Sequence, residues 1–289
     1  DRVYALPGYV DAALAAVECY LVLYDRSIRR PDLAKADSTS QPAKPAQVPK
    51  EAPQKKSKDA PGAAKVKVDT DPLGDKYVRS KDYLADALQL LKPLFELKLQ
   101  DDRVDQAALR IYNRQKQHLK AIDTLNALVA RNDANPWLYP CLVHLQRAAT
   151  SPDDLPEATQ TAIVKVLHDH APQLSNREIS LEAYLAEFVN EHGTSVPHLQ
   201  AAAEAILAMP TEGQDITPAL ELLTRPLVTE STGRQPLSLS EFMTLYRTAD
   251  TLHATVASDN FLKSNEPVAQ HFISYASQHF PLASEFKQL

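Results

Sequence analysis

Glycine is scarce in this 289-residue chain, and the six that occur (Gly8, Gly62, Gly74, Gly193, Gly213 and Gly233) are scattered. A loop that cradles a phosphate or the pyrophosphate of CoA needs clustered glycines, so that the backbone can approach the anion. That shortage disfavours nucleotide- and CoA-binding loops together. Cysteine is scarcer still. Cys19 and Cys141 are far apart and support neither a disulfide framework nor a four-ligand zinc site. Both read as small buried apolar residues in a reducing compartment. No apolar run approaches the roughly 18 residues of a membrane span. The most apolar stretch, 12–24, is short and contains Glu18. Asn-Gly and Asp-Gly hairpin turns are missing, and alternating Val/Ile/Thr runs are few, which argues against β-structure. The chain starts at Asp1 without a methionine or an apolar leader and reads as part of a longer protein.

What remains is helical periodicity. Hydrophobic residues make up 44% of the chain, enough for a core. Val10, Ala13, Leu14, Val17, Leu21 and Tyr24 recur at three- and four-residue steps, one face of a helix. The same spacing predicts helices around 83–94, 103–112 and 122–132, then over 156–171, 178–192, 197–209, 215–228, 238–257 and 266–278. Pro93 should kink or end its helix. Asn135, Pro136 and Trp137 read as cap, first helical residue and large anchor. Ser238 and Glu241 have the spacing of a capping box. Helices of this length with short connections predict an all-α fold, an α-solenoid of tetratricopeptide-like hairpins, with Tyr112, Pro136 and Trp137 as packing anchors of its best repeat.

Residues 31–70 break the pattern, with six prolines, eight alanines, eight lysines and no aromatic residue. Such a segment cannot bury enough surface to offset its chain entropy and reads as a disordered linker. Three domains follow: 1–30 as a helix continuing an upstream solenoid, 31–70 as linker, and 71–289 as a C-terminal helical-repeat domain. Eight lysines against five acids leave the linker at +3 on a chain of net charge −6. Lys50, Lys55, Lys56, Lys58, Lys65 and Lys67 are therefore the candidate contacts to a polyanion such as ribosomal RNA, acting through counterion release. No aromatic side chain is interleaved for base stacking.

Catalytic candidates are thin. His168 and His170 are two apart and point to different helix faces. His192 and His198 flank the break at 193–195, with Glu187 and Glu191 near but no cysteine. A metal-dependent or acid–base enzyme built on His168–His198 is the contrasting reading. His271 and His279 read as structural residues. Asp101-Asp102 and Asp153-Asp154 fit helix starts, where acids complement the helix dipole. No Gly-x-Ser-x-Gly elbow occurs. No catalytic, metal or cofactor site is predicted.

Three stretches together resemble one family. The first is YVDAALAAVECYLVLYD over 9–25, an Ala-rich helix before a lysine-rich insertion. The second is Asp71-Pro72-Leu73, then ALQLLKPL over 87–94, then Arg110-Ile111-Tyr112, then Asn135-Pro136-Trp137-Leu138. The third is the last helix, 269–286, with Tyr275, His279, Phe280 and Pro281. Their order around a basic linker is similar to the C-terminal part of the large auxiliary subunit of the N-terminal acetyltransferase A complex. The resemblance implies a non-catalytic tetratricopeptide-type scaffold in the cytoplasm. Such a scaffold wraps a separate acetyl-CoA-dependent catalytic subunit, shapes its specificity for small N-terminal residues and anchors the complex at the ribosome. It implies neither membrane nor DNA as partner. The family's insertion is longer and denser in Lys and Glu than the short Ala/Pro-rich one here. The alternative is a tetratricopeptide-like adaptor with an unrelated protein partner.

Overall fold

The computed structural model describes residues 8–31, 80–97, 99–150, 155–193, 195–208, 215–228, 236–257, 261–263 and 267–281. Among these the fold is all-helical, as the periodicity predicts. The helices are α1 (Tyr9–Arg29), α2 (Tyr83–Glu96), α3 (Asp102–Arg114), α4 (His118–Arg131), α5 (Leu138–Thr150), α6 (Glu157–His170), the single turn α7 (Pro172–Ser175), α8 (Leu181–His192), α9 (Val196–Ala208), α10 (Thr217–Val228), α11 (Leu239–Ala254) and α12 (Pro267–His279), with a 3₁₀ turn at Phe261–Lys263 before the last.

Local chemistry sets the boundaries. Asp82, Asp101 and Ser180 cap α2, α3 and α8 by accepting backbone N–H groups that the first turn leaves free. Ser238 and Glu241 form the anticipated reciprocal capping box at α11. Pro93 lies inside α2, where it cannot donate to the Gln89 carbonyl one turn earlier, and the helix ends three residues later at Glu96. Two turns are made without glycine. Lys116 and Arg177 adopt left-handed φ values of 55° and 56°. After each, a 2.9 Å hydrogen bond returns to the helix just ended, Gln117 N–H to the Tyr112 carbonyl and Glu178 N–H to the Gln173 carbonyl. These are Schellman closures on residues that pay a steric penalty for the conformation.

Consecutive helices pack in series, consistent with an α-solenoid. Leu84, Ala87 and Leu91 of α2 meet Val17 and Leu21 of α1 and Val104 and Ile111 of α3 in one core. Leu125, Leu128, Leu145 and Ile163 carry the next, across α3 to α6. Phe242, Phe261, Phe272, Leu220 and Leu223 form a larger one across α9 to α12. The winding also closes on itself. Helix α9 packs against α5, and α1 reaches α11. Arg30, just past α1, donates to the Val256 carbonyl at 2.9 Å. Helix α9 sits innermost, with Leu199, Ala201, Ala202, Ala203, Glu204 and Ala205 all buried. A helix apolar all round belongs in the middle of a fold, and its alanines let neighbours come close.

Two sequence readings are corrected here. Cys141 is buried as expected, but Cys19 is exposed on α1. It sits on the face turned away from Ala13, Val17 and Leu21. His271 is exposed on the outer face of α12 and is not a packing residue.

Candidate functional site: a charged centre and an aromatic corner

Arg110 and Arg114 lie one turn apart on α3, so both reach the same seam. Glu18 and Asp25 lie two turns apart on α1 and face them. Arg114 forks onto Asp25, with Nε to Oδ1 at 2.9 Å and Nη2 to Oδ2 at 2.8 Å, and its Nη1 reaches Glu204 Oε1 at 2.7 Å. Arg110 donates to both Glu18 oxygens, through Nη1 and through Nη2 at 3.0 Å, and approaches Glu204 Oε2 at 3.5 Å. Glu204, from the innermost helix, thus bridges both guanidinium groups with its side chain only 8% exposed.

Burial alone would raise the Glu204 carboxyl, but Arg114 and Arg110 beside it hold it far below the usual carboxylate range. His144 of α5 faces the same centre. Burial, with Arg114 adding to it, lowers its imidazole to about 4. Burial likewise lowers Arg29, while Asp25 opposes that shift. Opposite charges face each other across the seam, with the buried Arg110 Nε left unpaired, so the centre acts as a clamp that fixes α1 against α3 and α9. At its open end a cavity of about 320 Å³ is lined by Arg110, Glu204, Trp137, Gln200, Thr248 and Arg247, among others.

Trp137 stands at this opening. Its ring is half-buried, with the Arg110 guanidinium 5.4 Å from its centroid. Helix α5 begins one residue later, after a turn in which Asn135 Oδ1 accepts the Trp137 N–H at 3.0 Å. Pro136 is half-buried in that turn. Tyr112 is half-buried between the first two cores, and the Lys120 ammonium lies 5.7 Å from its ring. All three residues sit where helices meet. Lys50, Lys55, Lys56, Lys58, Lys65 and Lys67, with the linker itself, lie outside the described residues.

The histidines form a second locus. Tyr139 of α5 stacks on Tyr184 and Phe188 of α8, at 4.9 and 4.0 Å between centroids. Phe188 touches His192 and His198, which stack on each other at 4.3 Å with 25° between their planes. Near-parallel rings point their nitrogen lone pairs side by side, which does not converge on one ion. His198 Nδ1 is occupied by Ser195 Oγ at 2.8 Å, and burial and then His192 lower its pKa. No group of three or more His, Cys, Asp or Glu among the described residues is placed to hold a metal. His170 joins this corner, which encloses a cavity of about 490 Å³; His168 does not line it.

The charged centre escaped the periodicity argument because its members look like ordinary solvated positions on amphipathic helices. One signal was available. Glu204 interrupts the run Ala201, Ala202, Ala203, Ala205 and Ile206, and a helix without a polar face must bury any acid it carries.

Comparison with known proteins bears on the first helices of the stack. Residues 29–128 match the family model for the N-terminal acetyltransferase A auxiliary subunit. The chain is 24% identical over 143 residues to the human protein N-alpha-acetyltransferase 16, NatA auxiliary subunit, and equally to its mouse counterpart. That region is 50% of this chain and 16% of each relative, so the chain spans only a small part of their length. Of the stretches that carried the resemblance, 71–73, 87–94 and 110–112 lie within the matched span, while 9–25, 135–138 and 269–286 lie outside it.

Proposed function

We propose that this chain is a stretch of the auxiliary subunit of an N-terminal acetyltransferase A complex and serves as a non-catalytic helical scaffold for a separate catalytic subunit. The match over residues 29–128 carries this reading. The fold supports it: helices packed in series present ridges of side chains on which another protein can be held. The charged centre adds rigidity, since two forked arginine–carboxylate pairs fix the angle at which α1 meets the rest. Acetyl-CoA chemistry would belong to the partner, in keeping with the scattered glycines. Among the described residues no helix is long and apolar enough to cross a membrane. A cytoplasmic complex at the ribosome fits the proposal, with Lys50, Lys55, Lys56, Lys58, Lys65 and Lys67 as its polyanion contacts.

Gentle isolation of the intact parent protein, followed by mass spectrometry of co-purifying chains, tests the core of this. A stoichiometric acetyltransferase catalytic subunit is the expected result. A different abundant protein at low salt would leave an adaptor with an unrelated partner. For the linker, deleting residues 44–67 should weaken ribosome co-sedimentation and flatten its dependence on salt, because fewer counterions are released. An unchanged salt slope removes the lysines from the interface.

A further inference from the structure

We propose that the aromatic corner between α5 and α8 is a receptor for an arginine side chain presented by a partner polypeptide. Its cavity, about 490 Å³, falls within the range of built ligand sites. The walls are of two kinds. Leu125, Val129, Leu138 and Leu142 are apolar and suit the methylene stem of a long side chain. Tyr184 and Phe188, half-buried and each stacked on the buried Tyr139, supply rings whose π-systems attract a cation.

Charge sets the sign of the occupant. Asp133 is the one carboxylate among the described lining residues, and no lysine or arginine lines the cavity. Arg131, two residues earlier, is turned away onto Asp102 and Asp105. The antiparallel alternation of helices brings three C-terminal ends to this edge. Asp133 follows α4, His170 ends α6 and His192 ends α8. Their last carbonyls carry negative partial charge. The starts of α5 and α9 reach the same edge and oppose that field, but Asn135 already occupies one of their donors, the Trp137 N–H. The exposed residues Asp133, Ala134 and His170 form the mouth, so a side chain enters from solvent at the edge of the stack. A guanidinium fits better than an ammonium. It is planar, weakly hydrated, stacks on aromatic rings and forks onto a carboxylate such as Asp133.

The site does not depend on which protein supplies the arginine, so its failure would leave the acetyltransferase reading untouched. The test uses two peptides, acetyl-Leu-Arg-Leu-amide and its neutral isostere with citrulline in place of arginine. Both are titrated into the protein while the ring protons of Tyr139, Tyr184 and Phe188 are followed by NMR. The arginine peptide should shift those rings and bind about three- to thirtyfold tighter than the citrulline peptide, the range of a cation–aromatic contact. Asp133→Asn, at an exposed position that does not threaten folding, should remove most of that preference. Glu221→Gln, on the exposed face of α10, should leave it intact and so control for attraction to an acidic protein. Equal affinity of the two peptides, shifts confined to other residues, no shift at all, or equal losses in the two variants would each overturn the proposal.

Discussion

Two regions of the helical stack are held together by different physics. Around α10, α11 and α12 the core is a matter of volume. Phe242 is fully buried and stacks on Tyr275 at 5.5 Å, with Phe272 at 5.9 Å. Around α1, α3 and α9 the apolar core is thinner, and the seam beside it is closed by Glu18, Asp25, Arg110, Arg114 and Glu204. Hydrophobic packing tolerates many sidechain exchanges of similar volume. An interior ion cluster tolerates few, because each charge removed strands its partners in a poorly solvated place. The charged region is therefore the more geometrically specific of the two, and the one more sensitive to its conditions.

The sharpest test of this contrast is a pair of truncations. Phe242→Ala should cost about 4 kcal/mol in urea unfolding, by lost transfer energy and an unfilled cavity. That cost should be nearly independent of pH. Glu204→Gln should cost about 3 kcal/mol, since Arg110 and Arg114 each lose their shared counter-charge. Salt should restore little of it, because ions do not screen buried pairs well. Equal pH dependence of the two losses would break the comparison.

Acid offers a second test. His144 binds its proton more weakly when folded than when unfolded, with its folded pKa near 4 against an ordinary value of 6.5. Between those values the unfolded chain holds more protons, so stability rises with pH. The contribution is complete above about pH 6.5 and is lost as pH falls towards 4, at a cost of about 3 kcal/mol. Glu204 acts in the same direction at lower pH, as its depressed carboxylate is finally protonated. Trp137 lies beside Arg110, and its fluorescence should report this loss. His144→Gln should flatten the slope between pH 6.5 and 4. Phe242→Ala should not.

Trp137→Ala should cost about 2 kcal/mol, less than a fully buried tryptophan would, because the ring is only half-buried. The smallest effect lies at a turn. Lys116→Gly should stabilise the α3–α4 turn by about 1 kcal/mol, measured by thermal unfolding, since glycine adopts the left-handed conformation without penalty. Loss of stability there would mean that the greater chain entropy of glycine in the unfolded state outweighs the backbone strain relieved.

Much of the architecture was legible beforehand. The spacing of Ala13, Val17 and Leu21 placed α1's buried face, Ser238 with Glu241 placed the start of α11, and the predicted spans at 156–171, 197–209 and 215–228 agree with α6, α9 and α10 to within two residues. The turn at α7 was not anticipated, because Pro172 and a short apolar step at Leu174 carry too little periodicity to separate it from α8. The turns at Lys116 and Arg177 lacked the glycine that would have marked them. The candidate anchors Tyr112, Pro136 and Trp137 are all half-buried. The arginine–carboxylate centre was not legible, since Arg110 and Arg114 on α3 carry the same i, i+4 pattern as any solvated helix face.

Composition and periodicity by themselves determined an all-helical chain, because a repeat of three and four residues is a property of each segment alone. The order of quoted motifs determined its family resemblance for the same reason, since linear order survives whatever the fold does. Which helix lies innermost was decided only by tertiary structure. So was the meeting of Glu18 and Asp25 with Glu204 across more than 170 residues of chain, and of Tyr139 with Phe188 and His198. Those contacts depend on how far the stack curls before it closes, which is set by the summed packing angles of all its helices and is written in no single one of them.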